Sequence, residues 1–249
     1  MGIIIKSEAE IDAMRKAGHI VGHVLDVLRS RIKPGMKTKD LDDIAAAELV
    51  KMGAKASFKG YHGFPASLCV SINDEVVHGI PGQRVVKDGD IVSLDFGALI
   101  DGFHGDSAIT VGVGKVSPAA EQLMAATEAA LMAGIGAAHD GARLGDISAV
   151  IQDYVESRGY SVVREYTGHG IGRNLHEDPM VPNFGCAGTG PELKKGMTIA
   201  IEPMVNIGDW HTRVGRDNWL VSTADGSLSA HFEHTIAITS GEPEVLTTV

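Results

Sequence analysis

Apolar residues recur at steps of three and four through Ile11, Met14, Gly18, Val21, Leu25, Leu28 and Ile32, which predicts an amphipathic helix. Ser7 and Glu10 stand ahead of it in the S-x-x-E spacing of a capping box, and Lys33-Pro34-Gly35 ends it. A second helix is expected from about Thr38, with Leu41, Ile44, Ala45 and Leu49 on one face and a stop at Gly53. A loop, KGYHGFP, leads into two apolar strand candidates, SLCVSIN and DIVSLDFG, and Ser117-Pro118 opens a third helix.

The second half repeats this order. Set under one another at an offset of 106, Gly141, Asp146 and Gly159 fall below Gly35, Asp40 and Gly53, while Ile147, Val150 and Val155 fall below Leu41, Ile44 and Leu49. At an offset of 107, KKGMTIAIE falls below KDGDIVSLD, so Gly196 matches Gly89 and Glu202 matches Asp95. EHTIAI resembles DSAITV, which sets Glu233 under Asp106. Helix, loop and strand in one order, with acids on acids, point to an internal duplication. The expected fold class is α+β: two α/β lobes, roughly 7–112 and 117–249, related by a pseudo-twofold axis. They would share a central antiparallel sheet with helices on its outer face. The break near 112–118 is too short for a flexible linker, so residues 1–249 read as a single domain with two lobes.

Composition narrows the class. Of 249 residues 44% are hydrophobic and 22% charged, as in soluble globular proteins. The net charge of −10 repels phosphate backbones, so nucleic acid is not an expected partner, and no apolar run approaches the ~20 residues needed to span a bilayer, so neither is a membrane. Two cysteines, Cys69 and Cys186, are too few for a disulfide framework. The start MGIIIKSEAE is not a signal peptide, and the expected location is the cytoplasm.

The alternation in DIVSLDFG sends Val92, Leu94 and Phe96 to one face and Ile91, Ser93 and Asp95 to the other. A carboxylate in so apolar a strand needs a partner. Asp101-Gly102 is a two-residue hairpin signal; the register it sets puts Gly97 opposite Asp106, with Asp95 and Asp106 diagonal neighbours on one face. Two carboxylates that close repel unless a proton or cation lies between them, and Gly97 is expected to leave room for one. The twin strand puts Glu202 in the same phase, and Glu233 follows on HTIAIT. Four acids about one axis carry a charge that two divalent cations would balance, and His169 in the expected loop GHGIG could add a nitrogen, its glycines allowing close approach of the backbone to the metals. So oxygen-rich a set favours Mn²⁺, Fe²⁺ or Co²⁺ over a thiolate-type zinc site.

The strings SLDFGALIDGFHGDSA, GHGIG, LHEDP, IEP and HFEHT resemble those of type I methionine aminopeptidases, the pita-bread metallopeptidases, over nearly the whole chain. The 30 residues between Glu202 and Glu233 leave no room for the helical insertion of type II enzymes. The resemblance implies removal of the initiator methionine from nascent chains and peptides with a small second residue, by two divalent metals (Co, Mn, Fe(II) or Zn). It implies that Asp95 chelates one metal, His169 and Glu202 bind the other, and Asp106 and Glu233 bridge them. It assigns catalytic roles to Glu202, His78 and His176, with His78 and His176 also facing the substrate. Tyr61, Phe64, Cys69 and Trp219 would line the methionine pocket, with Leu175 to complete it. A monomer meeting nascent polypeptides, transiently at the ribosome, is expected. By the same rule Met1-Gly2 would itself be processed.

The chain departs from the common pattern at Leu175, where an aromatic is frequent, at Thr167, where Cys is, and at His231, where Gln is. These changes bear on pocket shape rather than on the metal chemistry. His62 and His234 flank the proposed site; His104 reads as structural, and His19, His23, His139 and His211 as surface or helix-face residues. The rival readings are a proline-directed aminopeptidase of the same fold and a non-catalytic pita-bread binding protein.

Overall fold

The structure is a computed structural model that describes residues 2–248, so Met1 and its processing lie outside the described residues. Helix α1, Glu8–Arg31, starts where the capping box placed it: the Glu10 amide donates to the Ser7 hydroxyl and the Ser7 amide to the Glu10 carboxylate. Its apolar stripe is buried from Ile11 to Leu28. Helices α2, Thr38–Lys51, α3, Pro118–Gly136, and α4, Leu144–Glu156, complete the helical layer.

The duplication holds in detail. Asp40 accepts the Lys37 amide at 2.8 Å, and its twin Asp146 accepts the Arg143 amide at 2.7 Å, each at the third position of its helix. Gly89 and Gly196 adopt φ of 90° and 88°, left-handed values that a side chain would strain, and donate to Val113 and Ile238 respectively. Isolated bridges join Lys37 to Val85 and Arg143 to Glu192 at corresponding places.

Among the described residues nine strands form one sheet: β1 Lys55–Ala56, β2 Leu68–Ile72, β3 Ile91–Ile100, β4 Phe103–Gly112, β5 Gly168–Gly170, β6 Glu177–Val181, β7 Thr198–Ile201, β8 Glu233–Ala237 and β9 Glu244–Val245. The order is β1-β3-β4-β8-β7-β5-β6, with β2 also paired to β3 and β9 to β8; every pairing is antiparallel. The seam between the halves is β4–β8, flanked by the twins β3 and β7. Its ladder spans only Ser107–His234 and Ala108–Glu233. Hydroxyls tie the rest. Thr235 Oγ1 donates to the Asp106 carbonyl and accepts from the Asp106 amide, and Thr110 Oγ1 does the same for His231.

Helix α1 lies against β3 and β4. The helix comes close to β4 where Gly105 lacks a side chain, since a Cβ there would stand 2.8 Å from the Gly18 nitrogen; Gly18 in turn admits the chain at Leu246, since a Cβ on it would stand 2.1 Å from the Leu246 carbonyl oxygen. No helix among the described residues is long and apolar enough to cross a membrane.

Gly18→Ala therefore pits a helix-propensity gain of about 1 kcal/mol against a backbone collision costing roughly 1–3 kcal/mol. It should lower the melting temperature, while Gly136→Ala, whose Cβ would meet nothing within 4 Å, should not. Thermal denaturation of both variants checks this; a more stable Gly18→Ala protein would refute the close approach.

Candidate metal centre

The hairpin register is as the turn predicted: Gly97 faces Asp106 and Asp95 faces Ala108. Ala108 in turn faces Glu233 across the seam, and Cys69 of β2 faces Asp95 on the other side. One row across the sheet thus reads Cys69, Asp95, Ala108, Glu233. Glu202 follows the last residue of β7, beside Glu233, and Asp106 shares the face of Ala108 two residues along β4. The methyl group of Ala108 leaves the middle of the row low, and the four carboxylates stand around it.

Two expectations about glycine need correction. His169 is not on a loop but on β5, between β7 and β6. A Cβ on Gly168 would lie 2.3 Å from the Ala200 oxygen, and one on Gly170 2.2 Å from the Asp178 oxygen. These glycines let three strands close up around His169 rather than bringing backbone to a cation. The space left by Gly97 is likewise filled by protein, since a Cβ there would meet Ser57 and Phe58 within about 3 Å.

His169 Nδ1 lies 2.8 Å from the Gly170 carbonyl. That acceptor holds the proton on Nδ1 and leaves the Nε2 lone pair facing Glu202 Oε1 at 3.7 Å and Asp106 Oδ2 at 4.0 Å. Burial pulls the His169 pKa down to about 3, helped by the neighbouring His176, so the ring is neutral at physiological pH. The acids move the other way. Burial raises Asp95 to about 7. Burial, then repulsion from Asp95, raises Asp106 and Glu202; burial, then Asp106, raises Glu233. Among the described residues no lysine or arginine pairs with any of the four, and Asp95 Oδ1, Asp106 Oδ1 and Glu233 Oε1 are buried without a hydrogen-bond partner. Such orphans are costly as protein and fit a divalent cation as ligands. Donor atoms of Asp106, His169 and Glu233 lie within 4.8 Å of one another, as do those of Glu202, His231 and Glu233.

The five proposed ligands Asp95, Asp106, His169, Glu202 and Glu233 line one cavity of about 250 Å³ together with His78, His176, Tyr61, Phe64, Cys69 and Trp219. Leu175 joins them, with Phe58 and His62, whereas Thr167 and His231 do not line it. Phe64 and Trp219 meet edge to face at 5.1 Å, and Cys69 and Leu175 share their apolar cluster. His176 Nδ1 is 2.7 Å from the Tyr61 hydroxyl, and its ring is 4.1 Å from that of His169. Burial, then His78 and His62, lowers the His176 pKa to about 4. The loop bearing His176 is anchored next door by Glu177, paired with Lys6 at 2.6 Å, an ion pair that no pattern in the sequence announced. His78 holds a φ of 62°, uncommon for a residue with a side chain, and stands edge-on to Tyr166 and Trp219. His104 and His234 are structural, hydrogen-bonded to Ser57 and Thr247.

His231, noted in the sequence as a departure bearing on pocket shape, does not line the cavity; its Nε2 lies 3.8 Å from both Glu202 and Glu233. Strict alternation could not foresee this, because it sits on a short strand, Ser229–His231, that pairs with Met204–Asn206 in a separate three-stranded sheet.

Comparison with known proteins agrees with this geometry. Residues 12–240 match metallopeptidase family M24. A methionine aminopeptidase of Clostridium perfringens is 54% identical over 99% of each chain, and methionine aminopeptidase 1 of Bacillus subtilis is 53% identical over 99% of this chain and all of its own. The crystal structure of methionine aminopeptidase from Thermotoga maritima superposes with a TM-score of 0.98 at 47% identity, each chain fully covered. An Xaa-Pro dipeptidase from Bacillus anthracis shares the fold with a TM-score of 0.79 at 25% identity, this chain spanning 98% of itself but 62% of that one.

The raised carboxyl pKa values have a sign. In the metal-free protein the folded state holds more protons than the unfolded chain between the ordinary carboxylate range and about pH 7, so its stability falls as pH rises through that window. A divalent cation must displace those protons. Titrating Mn²⁺ into metal-free protein near pH 7 should release protons, seen as calorimetric heats that depend on the buffer, and affinity should fall as pH is lowered. Buffer-independent heats would show that the acids are already ionised.

Proposed function

The chain belongs to metallopeptidase family M24, and from that premise we propose that it is a methionyl aminopeptidase that removes the N-terminal methionine from proteins and peptides whose second residue is small. The observation that carries this reading is the shared cavity: the acid row and His169 form its floor, and an apolar aromatic wall begins at Cys69, one strand from Asp95.

Asp95, Asp106, His169, Glu202 and Glu233 would hold two divalent cations, with Asp106 and Glu233 shared, Asp95 on one and His169 and Glu202 on the other. Four oxygen donors to one nitrogen favour Mn²⁺, Fe²⁺ or Co²⁺, with Zn²⁺ next. When bound, the cations supply Lewis acidity toward water and the peptide carbonyl and neutralise the buried acids.

The protein's own groups do the rest. Tyr61, Phe64, Cys69 and Trp219, with Leu175 and Phe58, enclose the methionine side chain; sulfur–aromatic contacts of ~0.3–1.5 kcal/mol favour it over a plain aliphatic one. The Asp95 end of the row, beside that pocket, receives the free α-amine, which limits cleavage to the terminal residue. Glu202 accepts the proton of the attacking water and returns it to the leaving amine. With the Tyr61 hydroxyl donating to Nδ1, His176 keeps its proton on Nε2 and offers it to the carbonyl oxygen as charge develops. His78 contacts the scissile amide nitrogen and the substrate backbone. Tyr61, His78 and His176 crowd the second position and admit only small residues. The enzyme acts as a monomer in the cytoplasm, on nascent chains as they leave the ribosome.

The discriminating experiment reloads metal-free protein with each cation and compares Met-Ala-Ser, Met-Leu-Ser and Ala-Pro-Ala. Met-Ala-Ser should be cleaved fastest and the others poorly; preference for Ala-Pro-Ala would favour the proline-directed relatives of this fold. His176→Ala should lower kcat and kcat/KM together by about 10²–10³ with little change in KM and with metal content intact. A change in KM alone, or loss of metal, would remove His176 from the oxyanion role.

A further inference from the structure

His231 is 1% exposed, and neither ring nitrogen has a hydrogen-bond partner among the described residues. A buried imidazole without a partner is uncommon and wants an explanation. The backbone of His231 is fixed tightly: its amide donates to Thr110 Oγ1 at 2.9 Å, and its carbonyl accepts from the same hydroxyl at 2.8 Å. Pairing with Met204 completes the hold. The ring is thus delivered to one place and given nothing there by the protein.

What it faces is Glu202 Oε2 and Glu233 Oε2, each 3.8 Å from Nε2. That distance is too long for a hydrogen bond. It is shorter than the roughly 4.2 Å that separates two donors on opposite sides of one ion, given metal–ligand bonds of about 2.1 Å. His169 stands in the same relation to the other oxygen, 3.7 Å from Glu202 Oε1. Glu202 is therefore bracketed by two imidazoles, one from β5 and one from the Ser229–His231 ribbon, and each presents Nε2 to a carboxylate pair.

We propose that His231 is a sixth ligating side chain of the metal centre, its Nε2 binding the cation held by Glu202 and Glu233. This rests on the metallopeptidase reading and sharpens it: the half-site around Glu202 gains a second nitrogen. Nitrogen donors raise affinity for Co²⁺ and Zn²⁺ more than for Mn²⁺. A glutamine at this position would offer only a weakly donating amide oxygen or a hydrogen bond.

The test uses one equivalent of Co²⁺ on the intact protein and counts solvent-exchangeable ring N–H signals shifted by the paramagnetic ion in the proton NMR spectrum. Two are expected in the wild type, one from His169 and one from His231. His231→Gln should lose one of them, bind Zn²⁺ at least about tenfold more weakly, and bind Mn²⁺ nearly as before. A single signal in the wild type, with Co²⁺ bound, would overturn the proposal while leaving the metallopeptidase reading intact, and needs no variant to read. A spectrum and Zn²⁺ affinity unchanged in His231→Gln would also overturn it. Failure of the wild type to bind Co²⁺ at all would overturn both readings.

Discussion

Four carboxylates are brought together on one face of a sheet with no lysine or arginine of the described residues paired to them, and the rest of the structure is arranged around that repulsion. As protein alone the cluster is unfavourable: burial pushes every acid above its ordinary pKa, repulsion between carboxylates adds to the rise at Asp106, Glu202 and Glu233, and several oxygens have no partner among the described residues. The fold tolerates it because the backbone beneath is held by other means. Thr235 clamps Asp106, Ser107 donates to the Glu233 carbonyl, and Thr110 clamps His231, so the row cannot relax by letting strands part. The stored unfavourable charge becomes affinity for cations.

In the proposed reading the same row would also set specificity. Antiparallel register places Cys69 beside Asp95, so the apolar pocket starts one strand away from the acids, and a side chain seated in it would be the one next to the reacting bond. Residues from both halves of the chain wall this cavity: Tyr61, Phe64, Cys69 and His78 from the first, and Leu175, His176 and Trp219 from the second. The duplication explains how acids at equivalent positions come to face one another. It does not explain the pocket, which draws on loops that the two halves do not share.

Much of this was legible in the sequence, for identifiable reasons. Helix starts were marked by capping pairs such as Ser7 with Glu10, and the β3–β4 register by Asp101-Gly102, because both are set by neighbours in the chain. Asp95, Asp106, Glu202 and Glu233 stood out because strand alternation and repetition together fix which way a side chain points. What the sequence left dark depends on distant backbone. Gly97, Gly168 and Gly170 were read as making room for a metal, but they make room for Phe58 and for neighbouring strands. His231 was read as shaping the pocket, and the short strand of a separate sheet that carries it has no local signature. The Lys6–Glu177 pair joins residues 171 apart.

The central claim is that the acid row and His169 hold two divalent cations. Crystals grown with Mn²⁺ and measured at a wavelength where manganese scatters anomalously test it most directly. Two anomalous peaks are expected, both within bonding distance of Asp106 and Glu233, one also near Asp95 and the other near His169 and Glu202. Absence of any peak in the row, in crystals where manganese binds elsewhere, would contradict the account.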